Sequence, residues 1–145
     1  MKVTAFAALL AVVLAKPAFS HHSFAAEYDS TRSLKLTGTV TKVEWQNPHT
    51  YIYIGVTDKK SGKVTNWIFE LGSPSGLSKR GWTPETAKIG MMVTAEGAQA
   101  KNGSSRANAR NVIINGKKMA AASSQELQPY VGLDFNQSLP DSLGR

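Results

Sequence analysis

The clearest pattern in the chain is an alternation that begins at Leu34. Leu34, Leu36, Gly38 and Val40 alternate with Lys35, Thr37 and Thr39, the signature of a half-buried strand. The parity then slips, because Val43 and Trp45 follow Val40 with a three-residue step. One extra residue near Thr41 and Lys42 predicts a β-bulge that bends the strand. Gly38 in mid-strand points to a sharp bend or a close backbone approach. Gln46-Asn47-Pro48 interrupts the pattern, since proline removes a ladder donor and fixes φ. Residues 49–57, rich in β-branched and aromatic side chains, read as a second strand, 58–62 as a five-residue turn, and 63–71 as a third strand. A symmetric hairpin sets Thr57 opposite Lys63, Tyr53 opposite Trp67 and Tyr51 opposite Phe69. Its other face pairs Ile52 with Ile68, Ile54 with Asn66 and Thr50 with Glu70. The aromatic face, with His49 at its open end, is then assigned to the core, and the Thr50, Asn66 and Glu70 face to solvent or a ligand. A slip of one residue would reverse that assignment.

The remaining segments are shorter. Ser73-Pro74 is a cap followed by a first-turn proline, Gly81 is a stop, and Thr83-Pro84-Glu85 repeats the start signal. One or two short helices are therefore expected before a fourth strand at 91–98. Asn102 to Ser105 is a turn, 106–115 a fifth strand, and Asn115-Gly116 a tight turn. Residues 24–33 form a lead-in without clear periodicity, and 120–145 carry scattered apolar residues that read as a flexible tail. Five strands with the helix between the third and fourth predict an all-β, five-stranded OB-fold-like barrel. An open antiparallel sandwich is the alternative.

The chain of 145 residues suits one domain. Residues 1–20 have the parts of a signal peptide: Lys2, an apolar run from Ala5 to Ala15, and Ala18-Phe19-Ser20 as a small-x-small cleavage site. The run is shorter than the ~20 residues that span a bilayer, so no transmembrane segment is expected after processing. Cleavage after Ser20 leaves His21 first; cleavage after Ala15 leaves a five-residue extension ahead of it. The expected organisation is a signal peptide at 1–20, a barrel domain at 21–119 and a tail at 120–145, in a periplasmic or secreted protein. The absence of cysteine removes disulfides, thiolate metal sites, lipid attachment and a cysteine nucleophile. Without Lys2 and Lys16 the chain keeps fifteen basic residues against ten acidic, net +5. No basic run exceeds two residues and no RNA-binding aromatic motif is present, so nucleic acid is not the expected partner.

Several blocks together resemble a family of small, uncharacterised secreted bacterial proteins. They are His21-His22-Ser23-Phe24 with Glu27 and Tyr28, Leu36-Thr37-Gly38-Thr39-Val40, Asn47-Pro48-His49, Glu70-Leu71-Gly72-Ser73-Pro74, Arg80-Gly81-Trp82, and Arg106-Ala107-Asn108-Ala109-Arg110. The resemblance covers about 21–119. It implies a single periplasmic domain of unknown function and supplies no activity.

The candidate chemistry starts from three histidines in two places. With His21 as the first residue, its α-amine and ring can chelate one metal, and His49 or His22 can supply a third nitrogen. That set suits Cu(II), which tops the divalent affinity order and accepts planar nitrogen ligands; it resembles the histidine brace of secreted copper proteins. Glu27, Asp29 and Glu70 are candidate oxygen neighbours. The bland alternative is a frayed terminus and a histidine that merely follows a turn proline. A second candidate is an aromatic platform of Tyr51, Tyr53, Trp67 and Trp45 for a protein, peptide or glycan, weighed against their use in the core. A third is Arg106 and Arg110, whose guanidiniums bind carboxylates or phosphates, weighed against pairing with Glu70 or Glu96 within the sheet. A hydrolase serine elbow and a His-Glu-x-x-His motif are both missing. The expectation is a binding protein rather than an enzyme, with an envelope protein or small ligand as partner.

Overall fold

A computed structural model describes residues 24–123. A single helical turn, α1 (Phe24–Glu27), leads into β1 (Tyr28–Glu44). β2 (Tyr51–Thr57) and β3 (Val64–Glu70) form a hairpin, and α2 (Pro74–Ser78) precedes β4 (Met92–Ala100), β5 (Arg106–Ile114) and β6 (Lys117–Ala120). The sheet runs β3-β2-β1-β4-β5-β6, and a parallel pairing of β3 with β5 closes it into a ring. The expected all-β barrel with a helix between the third and fourth strands is the observed fold. Among the described residues, no helix is long and apolar enough to cross a membrane.

Two strand features were not anticipated. β1 begins at Tyr28, inside the lead-in read as irregular, and β6 adds a sixth strand. The Asn115-Gly116 turn explains β6: both residues have positive φ (51° and 76°), the geometry of a two-residue hairpin that returns Lys117–Ala120 onto β5. β6 itself is too short to show a period. The expected bulge falls between Val40 and Lys42. Helix α2 opens as expected, with Ser73 as cap accepting from Gly76 N at 3.2 Å and Pro74 in the first turn. The second start signal makes only a turn, in which Thr83 and Thr86 bond each other (Thr83 N to Thr86 Oγ1, 2.8 Å).

The β2–β3 register differs by one residue from the symmetric hairpin. Thr57 pairs with Val64, Ile54 with Trp67, Ile52 with Phe69 and Tyr51 with Glu70. The turn takes in Lys63: Asp58 N donates to the Lys63 carbonyl at 2.8 Å, and the Asp58 carboxylate accepts from Lys60 N, Ser61 N and Ser61 Oγ. That slip inverts the predicted faces of β2, while Trp67 and Phe69 of β3 stay in the core as expected. Ile52, Ile54, Trp67 and Phe69 fill the barrel, whereas Tyr51 and Tyr53 lie outside. Thr50, assigned to solvent or ligand, is buried, and its Oγ1 has no hydrogen-bond partner among the described residues.

The start of the stretch read as a tail is held against the barrel. Gly72 N donates to the Ala121 carbonyl, Ala121 N to the Arg110 carbonyl, and Ala121 and Ala122 are fully buried.

Candidate functional site

The outer face of β3 carries a buried carboxylate, Glu70, around which four other elements converge. Its position follows from the register: Glu70 lies opposite Tyr51 and beside Asn108, on the side away from the Phe69 core. A small second cluster of Tyr28, Ala98, Ala100 and Ala122, with Phe24 packed on it, covers this face. The N-terminal segment thus acts as a strap across the barrel. Lys101 N donates to the Glu27 carbonyl at 2.9 Å, and Lys101 Nζ to the Ala25 carbonyl at 2.6 Å. Between Tyr28 and Ser33 the pairing with β4 loses register, and Asp29 to Arg32 form an irregular bulge within β1.

Within the site the Tyr28 hydroxyl donates to Glu70 Oε2 at 2.9 Å. An Arg106 guanidinium nitrogen lies 3.7 Å from the same oxygen, and His49 Nδ1 lies 3.8 Å from Oε1. Burial, and then the Glu70 carboxylate, push the Tyr28 hydroxyl far above the usual tyrosine range. The same two causes raise Tyr51 to about 12. Both phenols therefore stay neutral at physiological pH and serve as donors. A cleft of about 320 Å³, lined by Ala26, Glu27, Tyr28, Ala100, Lys101 and Arg106 among others, opens beside the cluster.

The ring of His49 is oriented by local backbone bonds. The Asn47–Pro48 bond is cis. Thr50 N donates to the Gly72 carbonyl at 3.1 Å and Leu71 N to the Thr50 carbonyl at 2.8 Å, which ties the start of β2 to the end of β3. His49 Nδ1 then sits 3.2 Å from the Leu71 carbonyl oxygen, to which it donates when protonated there. Among the described residues Nε2 has no hydrogen-bond partner. A carbonyl or carboxylate on one ring nitrogen with the other left open is how proteins commonly orient a metal-binding histidine.

The predicted residues separate into groups. His21 and His22 lie outside the described residues. Glu70 joins His49, Tyr51 and Arg106 in one place. Trp67 is in the core, as the alternation it shares with Phe69 along β3 requires, and so cannot belong to an exposed platform. Tyr53 is outside but engaged, donating to Glu44 Oε2 at 2.9 Å with Lys42 Nζ 5.0 Å above its ring. Arg110 is the extra residue of a bulge in β5, since Glu96 pairs with Asn111 and Gly97 with Ala109. That bulge takes it out of the alternation shared by Arg106 and Asn108. Asp29, a proposed oxygen neighbour, accepts instead from Thr31 N and Oγ1. Among the described residues, no group of three His, Cys, Asp or Glu side chains is arranged to hold a metal ion.

Tyr28 is the site residue that periodicity missed, because it lies in a lead-in with no pattern. The one available signal was Glu70 itself, a carboxylate ending the otherwise apolar Trp67-Ile68-Phe69 run. The Tyr28–Glu70 bond carries an expected result. Tyr28→Phe removes a hydrogen bond to a charged group and should cost about 1.5–3 kcal/mol in urea unfolding at neutral pH. Because the native hydroxyl is raised, its contribution is complete below the unfolded value near 10 and fades as pH rises above it. The stability gap between wild type and Tyr28→Phe should therefore narrow above pH 10; a constant gap would exclude this role.

A family model matches residues 8–109, and its description is a family of unknown function (DUF6152). Comparison with curated proteins and with solved structures finds no match.

Proposed function

The chain belongs to this family of unknown function, and from that premise we propose that it is an exported binding protein that holds Cu(II). The α-amine and ring of His21 and the ring of His49 are the proposed nitrogen ligands, with His22 the substitute for His49. The protein would act in copper storage, delivery or sensing in the periplasm rather than as an enzyme. One observation carries the reading: Glu70 receives Tyr28 from the N-terminal strap and lies beside His49, so the strap and that histidine share one end of the barrel. Phe24, packed on Tyr28, is three residues from His21, a reach of roughly 10 Å for extended chain. The Leu71 carbonyl and Glu70 engage Nδ1 of His49, which leaves Nε2 as the nitrogen for a metal. Imidazole and amine donors favour Cu(II) over harder cations.

The test is Cu(II) titration of protein purified from the periplasm, with its N-terminus determined by mass spectrometry. One-to-one binding with a nitrogen-rich electron paramagnetic resonance spectrum is expected when His21 is the first residue. His49→Ala should lower affinity by at least the roughly 10–100-fold that loss of an outer-shell partner causes. Binding that ignores His49, or a mature terminus at Lys16, would exclude the proposed site.

A further inference from the structure

β1 uses its two edges one after the other. It pairs with β4 from Tyr28 to Thr39 and with β2 from Thr39 to Glu44. Val40 N donates to the Met91 carbonyl at 2.8 Å, on the β4 side. Main-chain groups alternate between the edges of a strand. Gly38 and Leu36 therefore also address β4, whereas Thr37 and Lys35 address the opposite edge. Among the described residues no strand pairs with that edge before Thr39.

Two glycines account for the gap. A Cβ on Gly38 would lie 2.5 Å from the Gly55 carbonyl oxygen, so only glycine permits this approach of the two backbones. Past that contact β2 departs into the 58–63 turn and leaves a wedge of about 350 Å³. Its lining includes Lys35, Thr37, Gly55, Thr57, Lys59 and Met92, and no acidic side chain. Both nearby carboxylates already have partners. Asp58 caps its own turn, and Glu96 is shared between Lys35 at 3.2 Å and Lys118 at 2.8 Å.

We propose that this wedge is a second binding surface, which accepts an extended acidic peptide segment of a partner protein as an added strand on β1. The N–H and C=O groups of Lys35 and Thr37 are spaced two residues apart, the repeat at which an extended peptide presents its own. Main-chain bonds of this kind supply affinity, and side chains supply selection. Lys59 selects carboxylates, and Lys35, which shares Glu96 with Lys118, adds to the positive field. The Lys35 charge and the bulge after Val40 discourage indiscriminate edge pairing. The surface lies at the far end of β2 from His49, and the inference does not rest on copper.

Amide hydrogen exchange on the full chain tests it, with capped peptides of about seven residues that alternate valine with glutamate or valine with lysine. In the free protein, Lys35 and Thr37 should exchange faster than Leu36 and Gly38, which face β4. The glutamate peptide should slow both amides saturably, by roughly tenfold or more at saturation, and the lysine peptide should not. Lys59→Glu should weaken the glutamate peptide about fivefold while Leu36 and Gly38 stay protected, which reports an intact sheet. Slow exchange of Lys35 and Thr37 in the free protein would show the edge already occupied and overturn the proposal. So would a glutamate peptide that leaves them unchanged, or a lysine peptide that protects them equally.

Discussion

Gly97→Ala is expected to destabilise the protein by about 3 kcal/mol or more, the upper range for overpacking, because its methyl group would fall where the main chain of β5 already is. A Cβ at this position lies 1.9 Å from the Asn108 carbonyl oxygen and 2.9 Å from its carbon. The obstacle is backbone in a paired strand, so no rotamer change relieves it. The register explains the crowding: the bulge that sets Gly97 opposite Ala109 makes Arg110 the extra residue of β5 and draws β5 across β4. Gly55→Ala is the matched control, since its Cβ would meet Val64 Cγ1 at 3.3 Å and otherwise ordinary contacts. Urea midpoints of the two variants decide the matter. A Gly97→Ala loss below about 0.5 kcal/mol, the range of an indifferent surface substitution, would show that the strands are free to separate there. The variant also bears on the site, because Asn108 lies beside Glu70 and moves with β5.

Trp82→Ala is expected to cost about 3–5 kcal/mol, the usual range for deleting a buried tryptophan. Trp82 is packed in the main core, and its Nε1 donates to the Ala120 carbonyl at 2.8 Å. Arg80 donates to the Ala122 carbonyl two residues on. The Arg80-Gly81-Trp82 block therefore clamps the end of β6 and the following residues onto the barrel. Gly81, at φ 85°, makes the turn that lets both side chains reach the same strand end. Trp82→Phe separates the two contributions: most packing is kept, and the Ala120 carbonyl loses its donor for about 1–3 kcal/mol. Calorimetry that finds Trp82→Ala within 1 kcal/mol of wild type would remove the clamp from the account.

Much of the fold could be read from local patterns, because each pattern answers to neighbouring residues only. The Leu34-to-Val40 alternation, the parity slip at the bulge, the Ser73-Pro74 helix start and the Asn115-Gly116 turn all reflect backbone preferences that do not depend on distant chain. Gly38 is the best case, since a glycine in mid-strand forecast the close approach that Gly55 completes. The site was legible only in pieces. His49, Tyr51, Glu70 and Arg106 were each singled out, yet under three different readings, and Tyr28 entered through resemblance alone.

The one-residue register of the β2–β3 hairpin decided which of those pieces meet. In sequence, a five-residue turn and a turn that also takes in Lys63 are equally good, because both bury alternate residues of apolar strands. Asp58 settled it by accepting from the turn backbone, and that single step sent Tyr51 and Tyr53 outward and set Tyr51 beside Glu70. The strap is the second such decision, since nothing periodic marks residues 24–33 and the buried Glu70 carboxylate and the Ala98, Ala100 and Ala122 cluster together give Tyr28 its place. The sequence by itself determined the barrel, its bend and its turns, which rest on local chain preferences. Tertiary structure alone decided the face of each side chain and the company of Glu70, because both depend on how strands far apart in the chain align.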